Sequence, residues 1–502
     1  MYYFVNQYLM ALNSGVEHAE FKRLQLFADQ HVPAKLVTRH FDALLHQNMR
    51  RFNLADAQVV NLFDFFRGTE TFVSRVVKIE ALNVPRDYTI KPNPNVSEIS
   101  DGDRLVAKVH FVPSTVGHVY FIENFDRFGN LVQRTDYDER GFKARDEFFA
   151  PTGDPITDIF YRPDGSRLAE QYYAHNDHGG NYVSLCKLIN YQGQDYYFNG
   201  ENEWYRFFLD ELNRQNGLNN TFIADRPLAT QWPVINMQTP AQKYLWLPTP
   251  HAVDPQDQVY SNLNNAYVYG IHEHLDQLDG LITSTDQQRQ DLAQWLGGQS
   301  PTPIYTISQA VVLKAQAQRP AIRLAQRQAH QIIYTGRVDH GRRVDQLITA
   351  FQQVRQTIAD ATLVIYGYGA ALEELKTQAK QLKLGDTVRF AGYQPDLATV
   401  YDQAGAYVYT GESDAQPLSL IEALSHGVPA VAYDINYGPR DVIQSGVNGY
   451  LVTDGAINQL AASLTKTLAK PKHHQHLIDG AYQSSQQYQE AAVWQQWQAI
   501  VN

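Results

Sequence analysis

Glycines recur at positions 129, 141, 153 and 165, twelve residues apart each time. Each lies in a turn-forming cluster: Arg127-Phe128-Gly129-Asn130, Asp138-Glu139-Arg140-Gly141, Pro151-Thr152-Gly153-Asp154 and Pro163-Asp164-Gly165-Ser166. The runs between them are rich in Tyr, Phe, Ile and Val, as in Ile156–Tyr161 and Leu168–Tyr173. Short strands with turn signals every 8–12 residues specify an antiparallel meander, and the regular period specifies one extended sheet. An exposed sheet of this kind suits acceptor binding or self-association, or is a plain spacer.

The chain has a different texture on either side. In residues 1–75, Tyr2–Val5 reads as a strand and Asn13-Ser14-Gly15 as a turn with a good helix cap. Val16–Ala28 reads as a helix with Val16, Ala19, Leu24 and Phe27 inward, followed by strands at Ala34–Thr38 and Val59–Leu62. Residues 201–300 return to α/β, with strands at Thr221–Ala224, Tyr244–Leu247 and Gly280–Thr283 and a helix over Asp286–Leu296. Residues 301–480 alternate strand and helix, the pattern of a doubly wound parallel sheet. The expected organisation is therefore α/β. A first Rossmann-like domain comprises 1–78 and 201–300, interrupted by a β-meander at 79–200. A second Rossmann-like domain covers 301–480, and a Gln-rich helix covers 481–502. Ligands of such domains bind at the carboxyl ends of the strands.

With 502 residues and a formal net charge of −11, the chain is too acidic for a general nucleic-acid binder, which needs a basic face. Its single cysteine, Cys186, excludes a disulfide framework within one chain and a Cys-based zinc site. No run approaches the roughly 20 apolar residues of a membrane span, and Met1–Ser14 lacks the basic start of a secretion signal. The expected location is cytoplasmic, with peripheral attachment at the inner face of the membrane left open.

The charged residues of Ile332–Val452 have a spacing that fits a nucleotide-sugar diphosphate. Arg337 follows the strand Ile332–Thr335, and Arg342 stands five residues on. Cations fixed there would stabilise the negative charge that develops on a departing phosphate; the alternative is that they cover a helix surface. Gly367-Tyr368-Gly369 makes a turn after the strand Thr362–Tyr366. The loop Gly411–Leu418 leads into a helix, so amides at Leu418 and Ser419 would face a β-phosphate. Glu422 can accept from two ribose hydroxyls, and Asp414, eight residues before it, from sugar hydroxyls. His251, after the strand Tyr244–Leu247, could bond the transferred sugar or be a loop histidine with no role. Gly15 at the first helix could bring its backbone to the diphosphate. No metal is expected: the Asp101/Asp103 and Asp136/Asp138 pairs lie in the meander, a segment whose turns favour Asp. Gly367-Tyr368-Gly369 also lacks the third glycine and the acidic partner of a nicotinamide fingerprint.

Taken together, Gly336-Arg337 with a cation at 342, Gly367-X-Gly369, the Asp414/Glu422 pair, Gly427-Val428-Pro429 and Tyr433-Asp434-Ile435-Asn436-Tyr437-Gly438-Pro439 resemble the retaining glycosyltransferases of the GT-B fold, family 4 (glycosyltransferase group 1). Asn13-Ser14-Gly15-Val16-Glu17-His18-Ala19, Ser284-Thr285-Asp286-X-Gln288 and the meander narrow the resemblance to bacterial teichoic-acid α-glycosyltransferases and accessory-Sec glycosyltransferase A proteins. The resemblance implies two Rossmann-like domains facing a cleft. It implies a UDP-sugar donor, no cofactor, and teichoic acid or Ser/Thr of a surface protein as acceptor. A homo-oligomer, or a complex with a related glycosyltransferase subunit, is the implied assembly. Arg337 and Arg342 would bind the donor diphosphate, with Gly15 and Gly367 beside it. Glu422 would hold the ribose, and Asp414 and His251 would meet the sugar. Departures are Arg342 for the usual Lys, Asp414 for Glu, Ala415-Gln416-Pro417 for Gly-Phe-Gly, and a missing glycine in Thr306-Ile307-Ser308-Gln309. They raise a second reading, a catalytically silent subunit that grips acceptor for a sister transferase. Another GT-B enzyme, an epimerase or phosphorylase, is a third.

Overall fold

Tyr3, Phe4 and Val5 are fully buried, as are Leu36 and Val37. Strands covered on both faces need apolar residues at consecutive positions, and that is what these segments supply. Tyr2–Val5, Ala34–Thr38 and Val59–Asn61 pair in parallel, with Phe4 opposite Leu36 and Leu36 opposite Val59. The computed structural model describes residues 1–69, 72–176, 179–298 and 300–501. They divide into two compact units. The first comprises Met1–Ala11, Ala34–Phe222 and Trp232–Gln242, and the second Leu12–Pro33, Ile223–Gln231 and Lys243–Asn502.

The first unit also holds a ten-stranded antiparallel sheet. Its strands run from Thr89–Lys91 to Gln194–Phe198 and are hydrogen-bonded in sequence order. Gly129, Gly141, Gly153 and Gly165 all lie in its turns with positive φ. A cation network fixes the sheet to the helix Leu62–Arg67. Arg67 donates to the carbonyls of Ala144 (2.9 Å) and Tyr161 (3.0 Å), and Arg140 pairs with Asp64 (2.7 Å) and Asp138 (2.8 Å). Phe63 packs on Phe160 with ring centroids 4.4 Å apart. Buried charges persist only when each is paired, and here each guanidinium meets carboxylates or carbonyls.

In the second unit the helix Gly15–Asp29 starts at a capping box: Ser14 caps the chain and Glu17 accepts from the Ser14 amide (2.8 Å). Its inward face is less apolar than its sequence suggests. Glu17, Glu20 and Arg23 are buried with Ala19, Leu24 and Phe27, whereas Val16 is half-buried. Arg23 is compensated by Asp225 (2.7 Å) and lies over Trp246, and Glu17 pairs with Arg226 (2.6 Å). Strands Gln242–Leu247, Gly280–Thr283 and Ile304–Thr306 are parallel neighbours. A six-stranded parallel sheet has the order Val388–Gly392, Thr362–Tyr366, Gln328–Thr335, Ala404–Tyr409, Ala430–Asp434, Gly449–Thr453.

The C-terminal segment is not one continuous helix. A helix ends at Ser485, Gln489 is extended, and a second helix covers Glu490–Trp497. The break lets Val312 donate to the Tyr488 carbonyl (2.7 Å) and sends Trp497 into the core against Phe27.

Candidate functional site

Three loops follow neighbouring strands of the six-stranded sheet and lie backbone to backbone. The Gly336 amide donates to the Tyr366 carbonyl (3.0 Å) and the Gly367 amide to the Gly392 carbonyl (2.9 Å). Gly367 has φ +141°, and a Cβ there would lie 1.8 Å from the Gly336 carbonyl oxygen. Only glycine allows this approach.

The next strand, Ala404–Tyr409, delivers Tyr409 to a half-buried cluster. Arg342 Nη1 donates to Asp414 Oδ2 (2.9 Å) and to the Tyr409 hydroxyl, and that hydroxyl donates to the same Asp414 oxygen (2.7 Å). The Tyr409 oxygen and the Asp414 carboxylate hold Arg342 well above the ordinary guanidinium range, against the opposing effect of burial. Burial, reinforced by Asp414, raises the Tyr409 hydroxyl, so the tyrosine stays neutral and keeps its proton to donate. Arg343 is spent on structure. It donates to the carbonyls of Thr410 (2.9 Å) and Gly411 (2.8 Å), pairs with Asp454 (2.6 Å), and so laces the loop after Thr335 to the loop after Tyr409. Arg337 extends into solvent, with its side chain 63% exposed and Asp339 at 3.3 Å.

The helix Leu418–Ser425 begins at Pro417, which supplies no side-chain cap, so the cap does not take up the amides of Leu418 and Ser419. Gly15 lies at the first position of its own helix, where an added Cβ would be 3.2 Å from Leu418 Cδ1. Two helix N-termini, each carrying partial positive charge, therefore converge. One turn into the second helix, Glu422 accepts from Lys22 (2.8 Å). Burial would raise the Glu422 pKa, but Lys22, with help from His426 and His18, holds it below the ordinary carboxylate value. The Ser419 hydroxyl bonds Tyr407 (2.6 Å).

His251 is fully buried; among the described residues neither ring nitrogen makes a full hydrogen bond, and the Gln258 backbone offers the ring a weak acceptor. Its ring stacks on that of Tyr437 at 6.5 Å, and burial, against the small opposing effect of Gln258, pushes its pKa down to about 4, which keeps it neutral. Buried ring nitrogens without full hydrogen bonds are a standing cost unless something bonds them.

The structure thus joins Arg342 to Asp414 and Gly15 to Leu418, puts Ser419 and Glu422 on the latter's helix, and leaves Arg337 in solvent. Sequence reasoning passed over Tyr409, Lys22 and the Gln416 side chain. Tyr407 and Tyr409 stand two apart in an apolar strand, which puts both hydroxyls on one face and was a usable signal. Gln416 Oε1 accepts from the amides of Gln309 (2.9 Å) and Ala310 (3.0 Å), and from Ser308 (3.1 Å), a long-range role that no local pattern announces. Among the described residues no group of three or more His, Cys, Asp or Glu could hold a metal ion, and no helix is long and apolar enough to cross a membrane.

Residues 315–484, which contain Arg337, Arg342, Gly367, Asp414 and Glu422, match the family described as glycosyl transferases group 1. The chain carries a group 1 glycosyl transferase domain. It is 24% identical over 469 residues to the UDP-N-acetylglucosamine–peptide N-acetylglucosaminyltransferase GtfA subunit of Streptococcus agalactiae, covering 90% of this chain and 87% of that one. It is 21% identical over 528 residues to the poly(glycerol-phosphate) alpha-glucosyltransferase of Bacillus subtilis strain 168, covering 100% of this chain and 75% of that protein. Among solved structures it is similar to the pneumococcal O-GlcNAc transferase GtfA in complex with UDP and GlcNAc. There the TM-score is 0.84 at 20% identity, over 100% of this chain and 98% of that chain. The likeness gives the chain a GT-B-like fold, with its parallel sheets and an antiparallel sheet besides.

Proposed function

We propose that the chain is a retaining glycosyltransferase that moves glucose or N-acetylglucosamine from a UDP-sugar to a cell-surface acceptor, either poly(glycerol phosphate) teichoic acid or Ser/Thr of a surface protein. The observation that carries this reading is the fixed Arg342–Tyr409–Asp414 cluster, in the same domain as a capless helix start and Glu422 one turn on. Arg342 and the amides of Leu418 and Ser419 neutralise the diphosphate, with Arg337 reaching in from solvent and Gly15 and Gly367 making room for it. Glu422 accepts from the ribose hydroxyls. Asp414, through the oxygen that Arg342 and Tyr409 leave open, accepts from the sugar, and the unspent nitrogens of His251 offer it another bond.

In the reaction, the bond from the anomeric carbon to the β-phosphate oxygen breaks and its electron pair leaves with UDP. The acceptor hydroxyl oxygen bonds to the same face of that carbon, and its proton passes to the departing phosphate. No protein base and no metal takes part. The strongest contribution is electrostatic, because a preorganised cation meets charge that grows only in the transition state.

The domain reading belongs to the same proposal. Two Rossmann-like domains, 1–78 with 201–300 and 301–480, face a cleft, and the 79–200 meander is inserted in the first and serves acceptor binding or assembly. The partner is a second copy or a related subunit, in keeping with the word subunit in the Streptococcus agalactiae relative's name. The work is done in the cytoplasm or at the inner face of the membrane.

The test is mass spectrometry of purified teichoic acid and of a serine-rich peptide after incubation with UDP-glucose or UDP-N-acetylglucosamine. Added hexose or N-acetylhexosamine that disappears with Glu422→Ala supports the reading. Equal transfer by Glu422→Ala and Arg337→Ala removes the assigned roles. No transfer together with no binding of UDP points to the silent subunit.

A further inference from the structure

The Gly15–Asp29 helix brings more than its N-terminus to the site. Lys22 and His18 lie one turn apart on it, and Lys22 Nζ is 2.8 Å from Glu422 Oε1. An ion pair between two side chains about one-third exposed contributes roughly 0–1 kcal/mol to stability, so it does little to brace helices already in contact through Gly15 and Leu418. Its effect on the carboxylate is larger. Four titratable groups face Glu422: Lys22 and His18 from the first helix, His426 from the end of its own, and the buried Tyr401 hydroxyl. Lys22 is the principal one holding Glu422 ionised against burial. A carboxylate that must accept from two adjacent hydroxyls needs both its charge and a fixed rotation, and a side chain with several rotamers has neither for free.

We propose that Lys22 is a donor-positioning residue: its ammonium grips one oxygen of Glu422 and turns the carboxylate so that its open edge meets the ribose diol of the donor. The proposal rests on the reading of Glu422 as the ribose ligand. It assigns to the first helix a part in nucleotide recognition through a residue that touches the carboxylate instead of the nucleotide. It also fixes a sign. Removing Lys22 leaves burial opposed only by the weaker effects of His426 and His18, so the Glu422 pKa rises and the acid limb of nucleotide binding moves to higher pH.

The experiment is calorimetric titration of the full chain with UDP from about pH 4 to about pH 8, across the carboxylate range. Lys22→Met is expected to weaken UDP about tenfold at neutral pH, the scale of one hydrogen bond to a charged group, and to shift the acid limb upward. Lys22→Arg, which keeps the charge, restores binding to within about threefold. The double variant Lys22→Met/Glu422→Gln binds no more weakly than Glu422→Gln alone, because Lys22 acts only through Glu422. The thermal midpoint of Lys22→Met stays within about 2 °C of wild type, as a partly exposed pair dictates. Wild-type binding by Lys22→Met at every pH, beside weakened Glu422→Gln, overturns the proposal and leaves the Glu422 role standing. Wild-type binding by Glu422→Gln removes that role and the proposal with it. Additive losses in the double variant, or a Lys22→Met chain that unfolds, also overturn the proposal.

Discussion

His251 offers a single-residue test of the proposed site. It is fully buried without a full hydrogen bond at either ring nitrogen among the described residues, with only weak help from the Gln258 backbone, and burial keeps it neutral. An unsatisfied buried polar group costs about 1–3 kcal/mol, so an apolar ring of similar size should be tolerated or preferred by the fold. His251→Phe is therefore expected to unfold at the same denaturant concentration as wild type or a higher one, yet to lose transfer activity by tenfold or more, the scale of a lost substrate hydrogen bond. Denaturant titration and turnover, measured on one preparation, check both halves. A large loss of stability with activity intact would mark His251 as purely structural. Asp414 is the opposite case: its Oδ2 accepts from both Arg342 and Tyr409.

At the scale of elements, the meander gives a graded test of backbone fit. Gly141 and Gly153 share the same left-handed conformation, with φ of +95° and +89°. A Cβ on Gly153 meets open space, whereas one on Gly141 would lie 1.9 Å from the Arg75 carbonyl oxygen. Gly153→Ala should cost only the conformational penalty of about 1–2 kcal/mol, and Gly141→Ala clearly more. Urea unfolding of the two variants should rank them in that order. These turns could be read from the sequence because hairpin chemistry is local, and so could the parallel strands, whose apolar runs are themselves the signal for burial on both faces. The helix Gly15–Asp29 was legible in extent but not in its inward face. Glu17 and Arg23 are buried there by Arg226 and Asp225, partners about two hundred residues away that no periodicity announces. The C-terminal segment was legible as helical, but its break at Gln486–Gln489 depends on the Val312 amide finding the Tyr488 carbonyl. In the site, charge spacing singled out Arg337, Arg342, Asp414 and Glu422, and of these Arg337 lies in solvent. It said nothing of what each of two neighbouring arginines would pair with: Arg343 meets loop carbonyls and Asp454, and Arg342 meets Asp414.

Across the whole molecule, three buried histidines contribute to the response to acid. His40, His251 and His474 are pushed by burial from 6.5 to about 4. Each stays neutral in the fold but binds a proton once unfolded, so the stability each contributes is fully present above pH 6.5 and is lost as the pH falls toward about 4. Each adds a slope of up to about 1.4 kcal/mol per pH unit within that window. The thermal midpoint should fall steadily between pH 6.5 and about 4, and a neutral replacement at His474, which bonds the Gly405 carbonyl at 2.8 Å, should flatten part of the fall. A His474 replacement whose midpoint keeps the same pH dependence as wild type over the window would contradict the neutral assignment of that residue. The central claim, that a fixed guanidinium neutralises a departing diphosphate, is tested most directly by the rate of UDP release from a UDP-sugar. With Arg342→Gln, kcat should fall about 10²–10³-fold, corresponding to about 2.7–4 kcal/mol of lost transition-state stabilisation, while KM changes far less. Turnover by Arg342→Gln within a factor of about two of wild type, a difference of under about 0.5 kcal/mol, would contradict it.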